Sequence, residues 1–119
     1  MQHSEEFIKI VDEAKSHIKE VSVPETRERM RQGAHLIDVR EDNEWQAGHA
    51  KNAVNLGRGI IERDIVEKFP DKNTELILYC GGGFRSALAA DNLRKMGYSN
   101  VASMAGGWRA WKTENAPVE

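Results

Sequence analysis

"LILYCGGGFRSALAA" covers residues 76–90 and holds the single cysteine of the chain, Cys80. The apolar run before it, "ELILYC" (75–80), has the length and composition of a buried strand. The run after it, from Ser86 to Met96, places Ala89, Ala90, Leu93 and Met96 on one side of a helix, with Gly97 as its stop. Cys80 therefore closes a strand, and the residues that follow lead into a helix. Gly81, Gly82 and Gly83 allow backbone angles closed to other residues. Several amides can then turn inward as a nest for an anion. The helix start adds positive potential, and Arg85 adds a permanent charge with forked donors. These effects favour a thiolate over a thiol. A cysteine can also merely fill space, since free cysteine is among the most buried residue types. A space-filling cysteine has no use for an amide nest, so the setting points to a nucleophile at the floor of a small anion pocket. The segment is not a nucleotide phosphate loop, because no Gly-Lys-Ser/Thr follows.

Outward from this junction the same alternation recurs. Phe7, Val11, Ala14 and Ile18 lie on one helical face. This predicts an N-terminal helix packed on its own domain, with a partner or dimer helix as the alternative. Ser22-Val23-Pro24-Glu25 reads as a capping box opening a helix that runs through Met30 and stops near Gly33. "HLIDVR" (35–40) reads as a buried strand, "EDNEWQAG" (41–48) as a short helical turn and "AVNL" (53–56) as a second short strand. Helical spacing at Ile61, Ile65 and Phe69 ends at Pro70. "VASMA" (101–105) is a last strand, and "GWRAWKTEN" begins a last helix. Strands alternating with helices predict a parallel sheet covered on both faces. In such sheets ligands bind where strand ends hand the chain to helix starts.

The composition narrows the class. The 119 residues suit one domain, 39% are hydrophobic and 30% charged. Seventeen basic and nineteen acidic residues give a net charge of −2, which makes no case for a nucleic-acid surface. The apolar run at 76–80 is too short to span a membrane. Glu5, Glu6, Lys9 and Asp12 interrupt any apolar core of a secretory signal. A lone cysteine makes no internal disulfide, in keeping with a reducing, cytoplasmic setting.

Three stretches resemble the rhodanese-like family: "LIDVREDNEWQAGHAKNAVNL" (36–56), the loop from Cys80 to Arg85, and "NVASMAGGWRAW" (100–111). The resemblance implies an α/β fold with a five-stranded parallel sheet flanked by helices on both faces. It also implies a division into a helical extension at 1–20 and one rhodanese-like domain at 21–119. The activity implied is sulfur transfer. Cys80 would take the outer sulfur of a small anionic donor such as thiosulfate or a persulfide, and an external thiol or cyanide would remove it. Gly81, Gly82, Gly83, Phe84, Arg85 and Ser86 would form the substrate-binding loop, and Arg85 would hold the donor's anionic part. No cofactor and no metal is expected. With no second cysteine, the chain cannot resolve its own persulfide, so the acceptor is external.

The sequence departs from the family pattern in two places. Many members that use thiosulfate carry a basic residue directly after the cysteine, where Gly81 stands here. Arg58, in "LGRG", is a candidate to supply a cation from a neighbouring loop. Lys51-Asn52 replace the family's Pro-Gly, a turn that asparagine can keep because it accepts left-handed backbone angles. Two other functions compete. A thiolate-type phosphatase or arsenate reductase usually has five residues between cysteine and arginine; here four intervene, and no general acid is evident. A non-catalytic interaction module on the same fold would not need an intact cysteine and arginine. Asp38 and Arg40 read as a charge pair anchoring a strand end, and His49 as a structural group in a turn. Trp45, Trp108 and Trp111 read as packing residues, with Trp108 a candidate wall of the pocket.

Overall fold

The computed structural model describes residues 3–119. Five parallel strands form one sheet in the order β1-β5-β4-β2-β3. They are β1 (Lys19–Val21), β2 (His35–Asp38), β3 (Val54–Asn55), β4 (Leu76–Tyr79) and β5 (Val101–Met104). Six helices precede, connect or follow them: α1 (Glu5–Lys15), α2 (Val23–Arg31), α3 (Asp42–Gln46), α4 (Ile61–Lys68), α5 (Phe84–Lys95) and α6 (Gly107–Thr113). This is the five-stranded α/β sheet expected. No helix among the described residues is long and apolar enough to cross a membrane.

The strands read in the sequence form within a residue or two of their expected ends. β1 is the strand that periodicity misses. Lys19 and Glu20 are exposed and only Val21 is buried, so this edge strand carries no apolar run. It pairs with β5 and crosses the expected boundary at residue 20, so the segment before residue 21 contributes to the sheet itself. Residues 1 and 2 of the expected extension lie outside the described residues. α1 packs on α5, burying Val11 and Ala14, as its apolar face requires. Ser22 caps α2 by accepting the Glu25 amide at 3.1 Å. Asn52 adopts a φ of 70°, the left-handed turn for which asparagine suits.

Side-chain alternation along the strands divides the core in two. Leu76, Leu78 and Cys80 face the layer of α4 and α5, with Ile61, Ile65, Ala89, Ala90 and Leu93. Ile77 and Tyr79 face the other layer, with Val23, Met104 and Trp111. The parity of β4 thus sends the Cys80 side chain toward the start of α5. The chain leaves β2 for β3 on one side and β4 for β5 on the other. The carboxyl ends of β2 and β4 therefore flank the point where the winding reverses, the place where such sheets bind ligands.

Candidate active site

Cys80 follows the last residue of β4 and is 1% exposed. The sulfur is both packed and cradled. The Gly83 amide donates to Sγ at 3.1 Å, and the Ser86 hydroxyl lies 3.5 Å from it. Gly83 has a φ of +105° and is the N-cap of α5, so helix formation starts at Phe84, two residues earlier than the apolar spacing suggests. The left-handed glycine turns the amides of the loop onto the sulfur and aims the first turn of a twelve-residue helix at it. Burial pushes the thiol upward and is the largest single influence. Hydrogen bonds from the Ser86 hydroxyl and from the amides of Ser86, Gly83 and Gly82 together outweigh it, leaving Cys80 more acidic than an ordinary thiol.

Behind Ser86 stands a residue that sequence reasoning missed. Ser103, fully buried on β5, places its hydroxyl 2.8 Å from that of Ser86. A chain of hydroxyls thus runs from Ser103 through Ser86 to the sulfur. The signal was present in β5. Val101 packs on the same layer as Cys80, and period-two alternation puts Ser103 there too.

The loop is clamped from the far side by α6. The Trp108 amide donates to the Cys80 carbonyl at 2.7 Å, and the Arg109 amide to the Gly81 carbonyl at 3.2 Å. This closeness requires Gly107: a Cβ there would stand 2.3 Å from the Cys80 carbonyl oxygen. A cavity of about 840 Å3 opens over the sulfur. Its walls are His3, Ser4, Phe7, Cys80, Gly81, Gly82, Phe84, Arg85 and Arg109. The expected loop thus divides by role. Gly81, Gly82, Phe84 and Arg85 line the cavity, while Gly83 and Ser86 touch the sulfur from behind.

Two expectations need correction. Arg58 is not in the cavity wall. Its Nη1 donates to Glu62 at 3.1 Å, one helical turn onward, and its side chain borders a separate groove with Asp91, Asn92 and Lys95. The near carboxylate on α4 captures it before it can reach the cysteine loop. Trp108 does not wall the pocket either. It covers the Arg40 guanidinium at 4.8 Å and lies against Gly48. Arg85 lines the cavity, as the loop reading expects, and is paired there. It grips Glu44 of α3 through two bonds of 2.8 and 3.2 Å. The Arg85 pairing and the Glu41 amide outweigh partial burial and hold the Glu44 carboxyl below the usual range.

Asp38 and Arg40 form the anchor that the sequence suggested. Arg40 Nη2 donates to Asp38 at 2.8 Å and to the Gly48 carbonyl at 2.7 Å, and the Tyr79 hydroxyl donates to Asp38 at 2.6 Å. Burial and the Asp38 carboxylate push the Tyr79 phenol far above its ordinary range. His49 stacks on Trp45 at 3.4 Å within the turn.

A family model described as "Rhodanese-like domain" matches residues 22–114. The chain belongs to the rhodanese-like domain family. Among its rhodanese-like relatives is the thiosulfate sulfurtransferase GlpE of Haemophilus influenzae, 32% identical over 101 residues, which are 85% of this chain and 94% of that protein. Two solved structures are similar throughout. One is a protein of unknown function from Rhodopseudomonas palustris CGA009, described as a possible tyrosine phosphatase. It has a TM-score of 0.85 at 26% identity and covers 100% of this chain and 98% of that one. The other is the polysulfide-sulfur transferase homodimer from Wolinella succinogenes, with a TM-score of 0.83 at 26% identity, covering 96% of this chain and 87% of that one. The rhodanese-like match starts at residue 22, so the part of the cavity wall made by His3, Ser4 and Phe7 lies outside it.

Proposed function

We propose that the protein is a sulfurtransferase that carries sulfane sulfur on Cys80. The observation that carries this reading is the cradle: one sulfur atom at a cavity floor, held by the Gly83 amide and the Ser86 hydroxyl. With thiosulfate, the Cys80 thiolate attacks the outer sulfur. A sulfur–sulfur bond forms to Sγ, and sulfite leaves with the electron pair of the broken bond. The resulting persulfide carries one negative charge, which the same donors stabilise. Cyanide or an external thiolate then attacks the terminal sulfur and regenerates the Cys80 thiolate. These two steps form a ping-pong cycle.

The likeness to the Rhodopseudomonas protein, described as a possible tyrosine phosphatase, favours a second reading, a thiolate phosphatase. Two features weigh against it. Among the described residues no carboxylate lines the cavity to protonate a leaving group, and the carboxylate bonded to the loop, Glu44, is tied to Arg85. Intact-mass measurement after incubation with thiosulfate or a persulfide donor tests the proposal. A gain of about 32 Da, lost in Cys80→Ser, is expected. Turnover of an aryl phosphate with no sulfur adduct would establish the phosphatase instead, and neither result would point to a non-catalytic module.

A further inference from the structure

The cavity over Cys80 is far larger than thiosulfate needs, and its walls have a distinct chemistry. Phe84 from the cysteine loop meets two rings from the N-terminal segment. The His3 ring stands edge-on to it at 4.7 Å and the Phe7 ring at 6.1 Å. Ser4 fixes Phe7 in place by accepting its amide at 3.1 Å as the N-cap of α1. Lys15 sits over Phe84 at 5.2 Å, so the aromatic wall is held from outside the cavity. Two arginines complete the lining. Arg85 is matched by Glu44. Arg109 is exposed, and among the described residues no carboxylate lies within 4.0 Å of its charge. Its backbone bond to Gly81 holds it at the cavity edge.

We propose that Arg109 is the specificity-determining residue of this site, reading the anionic group of an organic thiol or persulfide whose apolar body lies against Phe7 and Phe84. A ligand of five heavy atoms would leave those rings untouched, whereas pockets of a few hundred Å3 with an apolar wall and one or two polar anchors suit larger molecules. The proposal rests on the sulfur-transfer reading for its substrate class. In the transfer, the terminal sulfur of the Cys80 persulfide passes to the bound thiolate, whose new sulfur–sulfur bond forms as the Cys80 thiolate leaves.

Alkylation of Cys80 tests the anchor without any sulfur transfer. Iodoacetate and iodoacetamide differ chiefly in charge, and the neutral reagent controls for altered thiol reactivity. Arg109→Gln should lower the iodoacetate to iodoacetamide rate ratio by about fivefold, and Arg109→Lys should restore most of it. A ratio that is unchanged in Arg109→Gln but falls in Arg85→Gln would overturn the proposal. The wall is tested on the persulfide-loaded protein with 4-mercaptobenzoate and cyanide as acceptors. Phe7→Ala should raise KM for the arene thiol about threefold more than it raises KM for cyanide. Equal effects on both acceptors, or on neither, would remove the aromatic wall from recognition. Failure of persulfide loading in the unaltered protein would sink the sulfur-transfer reading while leaving the alkylation result standing.

Discussion

Two arginine–carboxylate pairs stand near the carboxyl ends of the sheet, and they behave as different objects. Asp38 and Arg40 are 0% and 4% exposed at the side chain, while Glu44 and Arg85 are each 34% exposed. The buried pair is saturated: its carboxylate accepts from the Arg40 amide, the guanidinium and the Tyr79 hydroxyl. It ties the turn after β2 to β4 and to Gly48. The partly exposed pair borders the space over Cys80, where water screens it and a ligand can compete for it. The charges and the functional groups are the same in both, a guanidinium and a carboxylate. Burial decides which is an anchor and which is an adjustable part of a site.

The comparison would break first at Asp38. Asp38→Asn leaves a buried guanidinium without its counter-charge and should destabilise the fold by about 3–5 kcal/mol, read by urea unfolding. Glu44→Gln should change stability by no more than about 1 kcal/mol in the same assay. It should also release Arg85 toward the cavity and speed the reaction of Cys80 with iodoacetate. An Asp38→Asn loss as small as that of Glu44→Gln would erase the distinction between the two pairs.

A smaller effect belongs to the hydroxyl chain. Ser103→Ala removes the group that orients the Ser86 hydroxyl toward the sulfur, and should slow iodoacetamide alkylation at pH 6 by about fivefold. The pH–rate profile should shift to higher pH with an unchanged plateau, which a merely structural defect would not produce. Smallest is the linkage of the thiol to folding. Because Cys80 is more acidic folded than unfolded, the unfolded chain binds the extra proton between the two values, so stability rises with pH across that window. Relative to Cys80→Ser, the contribution should be complete above the unfolded thiol's range and lost as pH falls through the folded one. A flat difference between the two stability–pH curves would contradict the cradle.

Much of this molecule was legible in the chain, for reasons tied to particular residues. β4 and α5 announce themselves because one is continuously apolar and the other has helical spacing, and the glycines between them have no packing use. The alternation of strands and helices made a parallel sheet the economical solution. β1 was not legible, since an edge strand of Lys19, Glu20 and Val21 owes its form to hydrogen bonds with β5 and not to an apolar pattern.

The side chains of the site divide along the same line. By itself the sequence determined the local setting of Cys80, because a strand end, a left-handed glycine and a helix start are properties of contiguous residues. Only the tertiary structure decided which distant groups surround that sulfur. Glu44 claims Arg85 across 41 positions, Ser103 backs Ser86, and Phe7 with Arg109 walls the cavity. Charges and hydroxyls find partners by distance in space, and that distance exists only once the sheet order and the parity of each strand have been set.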